Sequence, residues 1–157
     1  MTFPSIALLA AGLAALAAAP RLLVRRRQDR MARARMEAEG EACRLLTRAD
    51  LVSGAYRRVP GVLGLCEDRL SFDGLFGESV RIPTGRIQKI VTGSKLASGR
   101  RLFRLEVLRI APAGGEDVEF VLSPASAGAW RSHLGLWAMG ERMREAAAAE
   151  SVSPGRG

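Results

Sequence analysis

Hydrophobic positions change their rhythm twice along this 157-residue chain. Met1 to Pro20 carries no ionisable side chain, and Leu22, Leu23 and Val24 prolong the apolar stretch past Arg21. At ~1.5 Å per helical residue, such a run matches the ~30 Å hydrocarbon core of a bilayer. Residues Arg25 to Glu39 then combine good helix formers with opposite charges four apart, as in Asp29 with Arg33, Arg33 with Glu37, and Arg35 with Glu39. This stretch has no apolar stripe, so it predicts a solvated helical stalk that ends near Gly40.

From Leu51 the period becomes two. Val62–Cys66 and Arg69–Asp73 flank Glu67-Asp68 as a tight hairpin, with Leu70 and Phe72 on one face and Arg69, Ser71 and Asp73 on the other. Asp73-Gly74 and Gly77 mark a turn before Val80 and Ile82, which alternate up to Pro83. Arg86–Thr92 reads as a strand and Ser94–Arg101 as a polar loop. Leu102–Ile110 reads as the longest strand, with Phe103, Leu105 and Val107 on one parity and Leu108 and Ile110 on the other. Either a bulge near Val107-Leu108 or burial on both faces accounts for that switch. Gly114-Gly115 closes a hairpin onto Val118, Phe120 and Leu122. Ser123-Pro124 then opens a helix with Trp130, Leu134 and Trp137 on one stripe, expected to plug the open end of a curved sheet.

These elements set the expected organisation: a transmembrane anchor over 1–24, a basic juxtamembrane stalk over 25–50, one domain over 51–147 and a disordered tail over 148–157. Of the net charge of +8, the stretch Arg21–Met36 supplies +6, leaving a near-neutral domain that is a poor match for nucleic acid. The juxtamembrane candidates are Arg21, Arg25, Arg26, Arg27 and Arg30, and the positive-inside rule places the N-terminus outside and the domain in the cytoplasm. A cleaved signal ending at Ala17-Ala18-Ala19, which would yield an exported soluble domain, is the competing reading. Cys43 and Cys66 form no metal or redox spacing and read as ordinary reduced thiols of a cytoplasmic domain.

Seven short strands followed by one amphipathic helix resemble pleckstrin-homology-like domains. The stretch Gly61-Val62-Leu63-Gly64-Leu65-Cys66-Glu67-Asp68-Arg69-Leu70-Ser71-Phe72, with Ile82-Pro83 and Arg86-Ile87, is similar to the GRAM branch, with Cys66 where a threonine is usual. The resemblance covers about Leu51 to Glu145. It implies an α+β fold, a small curved β-sandwich or barrel capped by its C-terminal helix. It also implies a non-enzymatic adaptor that grips a partner protein at a membrane, or else an anionic lipid headgroup. Basic loops serve as lipid sites in that superfamily, which puts forward Arg57 and Arg58, with Arg100 and Arg101 as additions; solvated surface charge is the plainer account of both pairs.

Catalytic chemistry is not suggested. His133 is the sole histidine and lies inside the predicted helix, no phosphate-binding glycine motif or nucleophile elbow is spelled out, and the Glu67-Asp68 and Glu116-Asp117 pairs read as solvated turns. The expectation is a protein without catalytic residues, metal or cofactor.

Overall fold

A computed structural model describes residues 3–39, 42–54 and 57–134, with the side chains of the first helix described over 19–38. The described chain divides into two compact units, Met1–Thr84 and Gly85–Gly157. Among the described residues seven strands are formed, and the partners within each unit run antiparallel.

The first unit begins with α1 (Phe3–Glu39), a single helix of 37 residues that passes through Pro20 without a break. Four strands follow: β1 (Cys43–Ser53), β2 (Arg57–Cys66), β3 (Arg69–Gly74) and β4 (Ser79–Pro83). They form a meander, β1 on β2, β2 on β3 and β3 on β4. The hairpin at Glu67-Asp68 is the expected one, since Leu65 pairs with Leu70 across it. Val59, Val62, Leu63, Leu70 and Phe72 are almost completely buried. Gly61 explains itself against Phe72: a Cβ there would collide with the Phe72 ring and the Asp73 carbonyl. The glycine is what allows the ring to come this close to β2.

The other face of this sheet is not left to water. Ser71 is fully buried although it alternates with Leu70 and Phe72, because Arg35 of α1 reaches it, Nη2 donating to Oγ at 2.6 Å. Arg35 also forms an ion pair with Asp73 at 2.7 Å. One stretch nearer the N-terminus, Gln28 is buried and donates from Nε2 to the carbonyls of Gly61 at 3.0 Å and Ala49 at 3.4 Å. α1 is therefore docked on the sheet by polar side chains.

The second unit opens with a 3-10 turn, Thr84–Arg86, shared with the end of the first, and continues with β5 (Ile87–Gly93), β6 (Glu106–Pro112) and β7 (Val118–Leu122). β5 pairs with β6 and β6 with β7. The β6–β7 register runs without a shift from Glu106–Leu122 to Ile110–Val118, and Val107 and Leu108 are both buried, so this strand is covered on both faces and carries no bulge there. A helix, α2, follows over residues 124–134. The Ser123 Oγ accepts from the Ser126 backbone N–H at 3.2 Å, the N-cap that the sequence foretells. Ala127, Trp130 and Leu134 form its buried stripe; Trp137 and the tail 148–157 lie outside the described residues.

Several expectations are overturned. Among the described residues, no helix is long and apolar enough to cross a membrane. The transmembrane anchor over 1–24 is accordingly withdrawn, and with it the single-pass topology, the external N-terminus and the cytoplasmic placement that were argued from it. The physical reason lies in α1 itself: its apolar stretch is rich in alanine, which adds little transfer free energy, and it runs into Arg21, Arg25, Arg26, Arg27 and Arg30, all exposed. Among the described residues, those arginines flank no membrane span. The stalk is corrected as well, since residues 43–50 are strand and α1 lies against the sheet. Finally, Cys43 and Cys66 face each other across β1 and β2 and are joined as a disulfide.

Candidate functional site

The four basic residues put forward from the sequence fall in different units and different circumstances. Arg57 and Arg58 begin β2 in the first unit. Arg57 is bound to Glu78, Nη2 to Oε1 at 2.5 Å, and Arg58 exerts its field on Asp50. Asp50 is itself raised above the ordinary carboxylate value of 3.8, chiefly by burial, against the opposing pull of Arg58 and a side-chain hydrogen bond with Gln28. Both arginines are thus engaged with acids of their own unit.

Arg100 and Arg101 lie in the connection between β5 and β6, where the chain makes a small closed loop. Lys95 and Arg101 pair as an antiparallel bridge, the Leu96 N–H donates to the Arg100 carbonyl at 3.0 Å, and the Leu102 N–H donates to the Ser94 carbonyl at 2.8 Å. Gly99 turns the tip with a φ of 82°, in the left-handed region where glycine is unstrained. Leu96 and Leu102 are buried and pin both legs, which leaves Lys95, Arg100 and Arg101 exposed. Directly opposed residues of an antiparallel pair project to the same side, so Lys95 and Arg101 stand together.

The loop is also tied to the sheet beside it. Glu119 on β7 is buried, and its Oε1 accepts from the Ala97 backbone N–H at 2.8 Å and from Arg109 Nε at 2.9 Å. That carboxylate neutralises Arg109 and fixes the loop's first half. Between β5, β6 and the loop lies an open groove of about 440 Å³, lined by Val91, Lys95, Leu96, Ala97, Val107 and Arg109 among others.

Charge is distributed unevenly here. From Arg86 to Leu105 the sequence has Arg86, Lys89, Lys95, Arg100, Arg101 and Arg104 and no acid. Among the described residues none of these six takes part in an ion pair, whereas Arg35, Arg48, Arg57, Arg69, Arg81, Arg109 and Arg131 all do. Sequence reasoning found Arg100 and Arg101 but passed over Lys95, Arg104 and Phe103. Phe103 shares the parity of Leu105 and Val107 and so reads as core, yet it is 86% exposed because β6 begins only at Glu106. The signal that would have found the cluster is the absence of acids over 86–105.

No group of histidine, cysteine and carboxylate side chains that would hold a metal ion occurs among the described residues. No protein-family model matches the chain, and neither does any curated protein. Among solved structures, the C-terminal domain of an unknown protein from Leishmania infantum is similar, with a TM-score of 0.50 and 14% identity over 67% of this chain and 92% of that one. The likeness is one of fold alone.

Proposed function

We propose that this chain is a non-catalytic binding module that docks on anionic phospholipid surfaces through the β5–β6 loop of its second unit. One observation carries the reading: a loop held in shape by Leu96, Leu102 and Glu119 presents cations that no acid among the described residues neutralises. Exposed arginines are commonplace, but Arg35, Arg48, Arg57, Arg69, Arg81, Arg109 and Arg131 have an acidic partner among the described residues, and this cluster does not.

Magnitudes fit a weak, reversible attachment. At about 1 kcal/mol for each cation close to an anionic surface, Lys95, Arg100, Arg101 and Arg104 together supply about 4 kcal/mol, equivalent to a dissociation constant of about 1 mM. Arg57 adds little, being already held by Glu78. The resemblance to GRAM domains agrees with a binding role without chemistry, and nothing in the β5–β6 site positions a nucleophile beside a base.

Flotation of the full chain with vesicles of anionic or neutral phospholipid tests the reading. Binding to the anionic vesicles only, weakening from 50 mM to 500 mM salt and reduced at least tenfold by Arg100→Ala with Arg101→Ala, is expected, about 50 mM being where screening is still mild. No flotation at the lowest salt overturns the lipid reading and returns the loop to the grip on a partner protein.

A further inference from the structure

Electrostatic attraction holds a protein above a membrane but does not commit it to one depth, and the β5–β6 loop carries a feature that the cations do not explain. We infer that Phe103 enters the interface of an anionic bilayer as a wedge, with Arg100, Arg101 and Arg104 remaining at the phosphates around it. This rests on the lipid-docking reading and adds to it a point of penetration.

Three observations support a built wedge over a stray surface aromatic. Leu102, the neighbouring residue, is buried, so the chain has apolar space at this point and still turns Phe103 out to 86% exposure. Leaving a phenyl ring in water forgoes the gain of burial, and a contact supplied from outside recovers it. Next, Arg104 has a φ of 58°, in the left-handed region that non-glycine residues rarely occupy, and this irregularity breaks the strand alternation that would have sent Phe103 inward. The turn also brings the Arg104 guanidinium within 5.5 Å of the Phe103 ring centre. Lastly, Arg100, Arg101 and Arg104 lie close to the ring in sequence, and the acid that follows them, Glu106, is paired with Arg131.

Phe76 provides the internal contrast. It is 67% exposed on the β3–β4 turn, but there the arginines beside the turn, Arg81 and Arg57, are already held by Asp73 and Glu78. Exposed aromatic and unpaired cations coincide at Phe103. The occupant this chemistry selects is a surface with negative charge outside and hydrocarbon within ~5–10 Å, which is the headgroup region of an anionic bilayer. A folded acidic protein offers the charge without the yielding apolar layer.

The experiment uses the full chain carrying Phe103→Trp and vesicles of anionic phospholipid with brominated acyl chains, the wild-type chain reporting the background from its own tryptophans. Added quenching from the new indole, a blue shift of its emission, and about tenfold weaker vesicle binding for Phe103→Ala that persists at 500 mM salt are the expected results. Far-ultraviolet circular dichroism superimposable on wild type shows that the variants are folded. Salt-sensitive binding with no added quenching and no effect of Phe103→Ala overturns the wedge and leaves docking by the cations intact. Absence of binding to any anionic vesicle overturns both, and strong competition by single-stranded DNA for a chain that ignores vesicles reassigns Phe103 to base stacking.

Discussion

Asp50 sits on β1 opposite Pro60, where burial outweighs the help of Arg58 and Gln28. Its folded-state affinity for a proton exceeds that of the unfolded chain, so its contribution to stability is fully present below 3.8 and is lost as pH rises through the raised value. Asp50→Asn should therefore be more stable than wild type at pH 7 in urea titrations, with the advantage closing as the buffer is taken below the ordinary carboxylate range. At the same scale, Gly61 shows what a sequence reveals and what it withholds. Its place in the Gly61–Phe72 motif was legible, while the reason, the Phe72 ring against its Cα, appears only once β2 and β3 are paired. Phe103 is the opposite case, since an alternating pattern hides the positive φ of its neighbour Arg104.

Strands announced by period two and bounded by turn residues were recovered within a residue or two, as with β3, β4, β5 and β7. Elements whose contacts are polar were not. The stretch 43–50 mixes Arg44, Arg48 and Asp50 into a weak alternation and was assigned to the stalk, although it pairs along its length with β2. α1 was read as solvated because no apolar stripe runs through it, yet Gln28 and Arg35 dock it by hydrogen bonds and an ion pair that no hydrophobic pattern encodes. Arg35→Ala tests that account. It removes the bonds to Ser71 and Asp73 and leaves a buried hydroxyl, and because Asp73 keeps Arg81, the expected cost is moderate, about 2 kcal/mol. Hydrogen exchange should rise first in the 28–39 half of α1, ahead of β6 and β7.

At the scale of the whole chain, composition was misleading in two directions. The net charge of +8 draws attention to the arginines of α1, but among the described residues the cations of the β5–β6 loop lack ion-pair partners as well. Cysteine content argued for idle thiols, and the Cys43–Cys66 bond says otherwise. By clamping the far end of the β1–β2 hairpin across a sequence separation of 23, it removes unfolded-state freedom worth about 3 kcal/mol. Adding a phosphine reductant should lower the urea midpoint accordingly, and Cys43→Ala with Cys66→Ala should match the reduced protein and ignore the reagent. A glutathione-rich milieu and an oxidising one would then harbour two differently robust versions of the same polypeptide, so the history of a sample's exposure to thiols belongs among the variables that decide how it behaves.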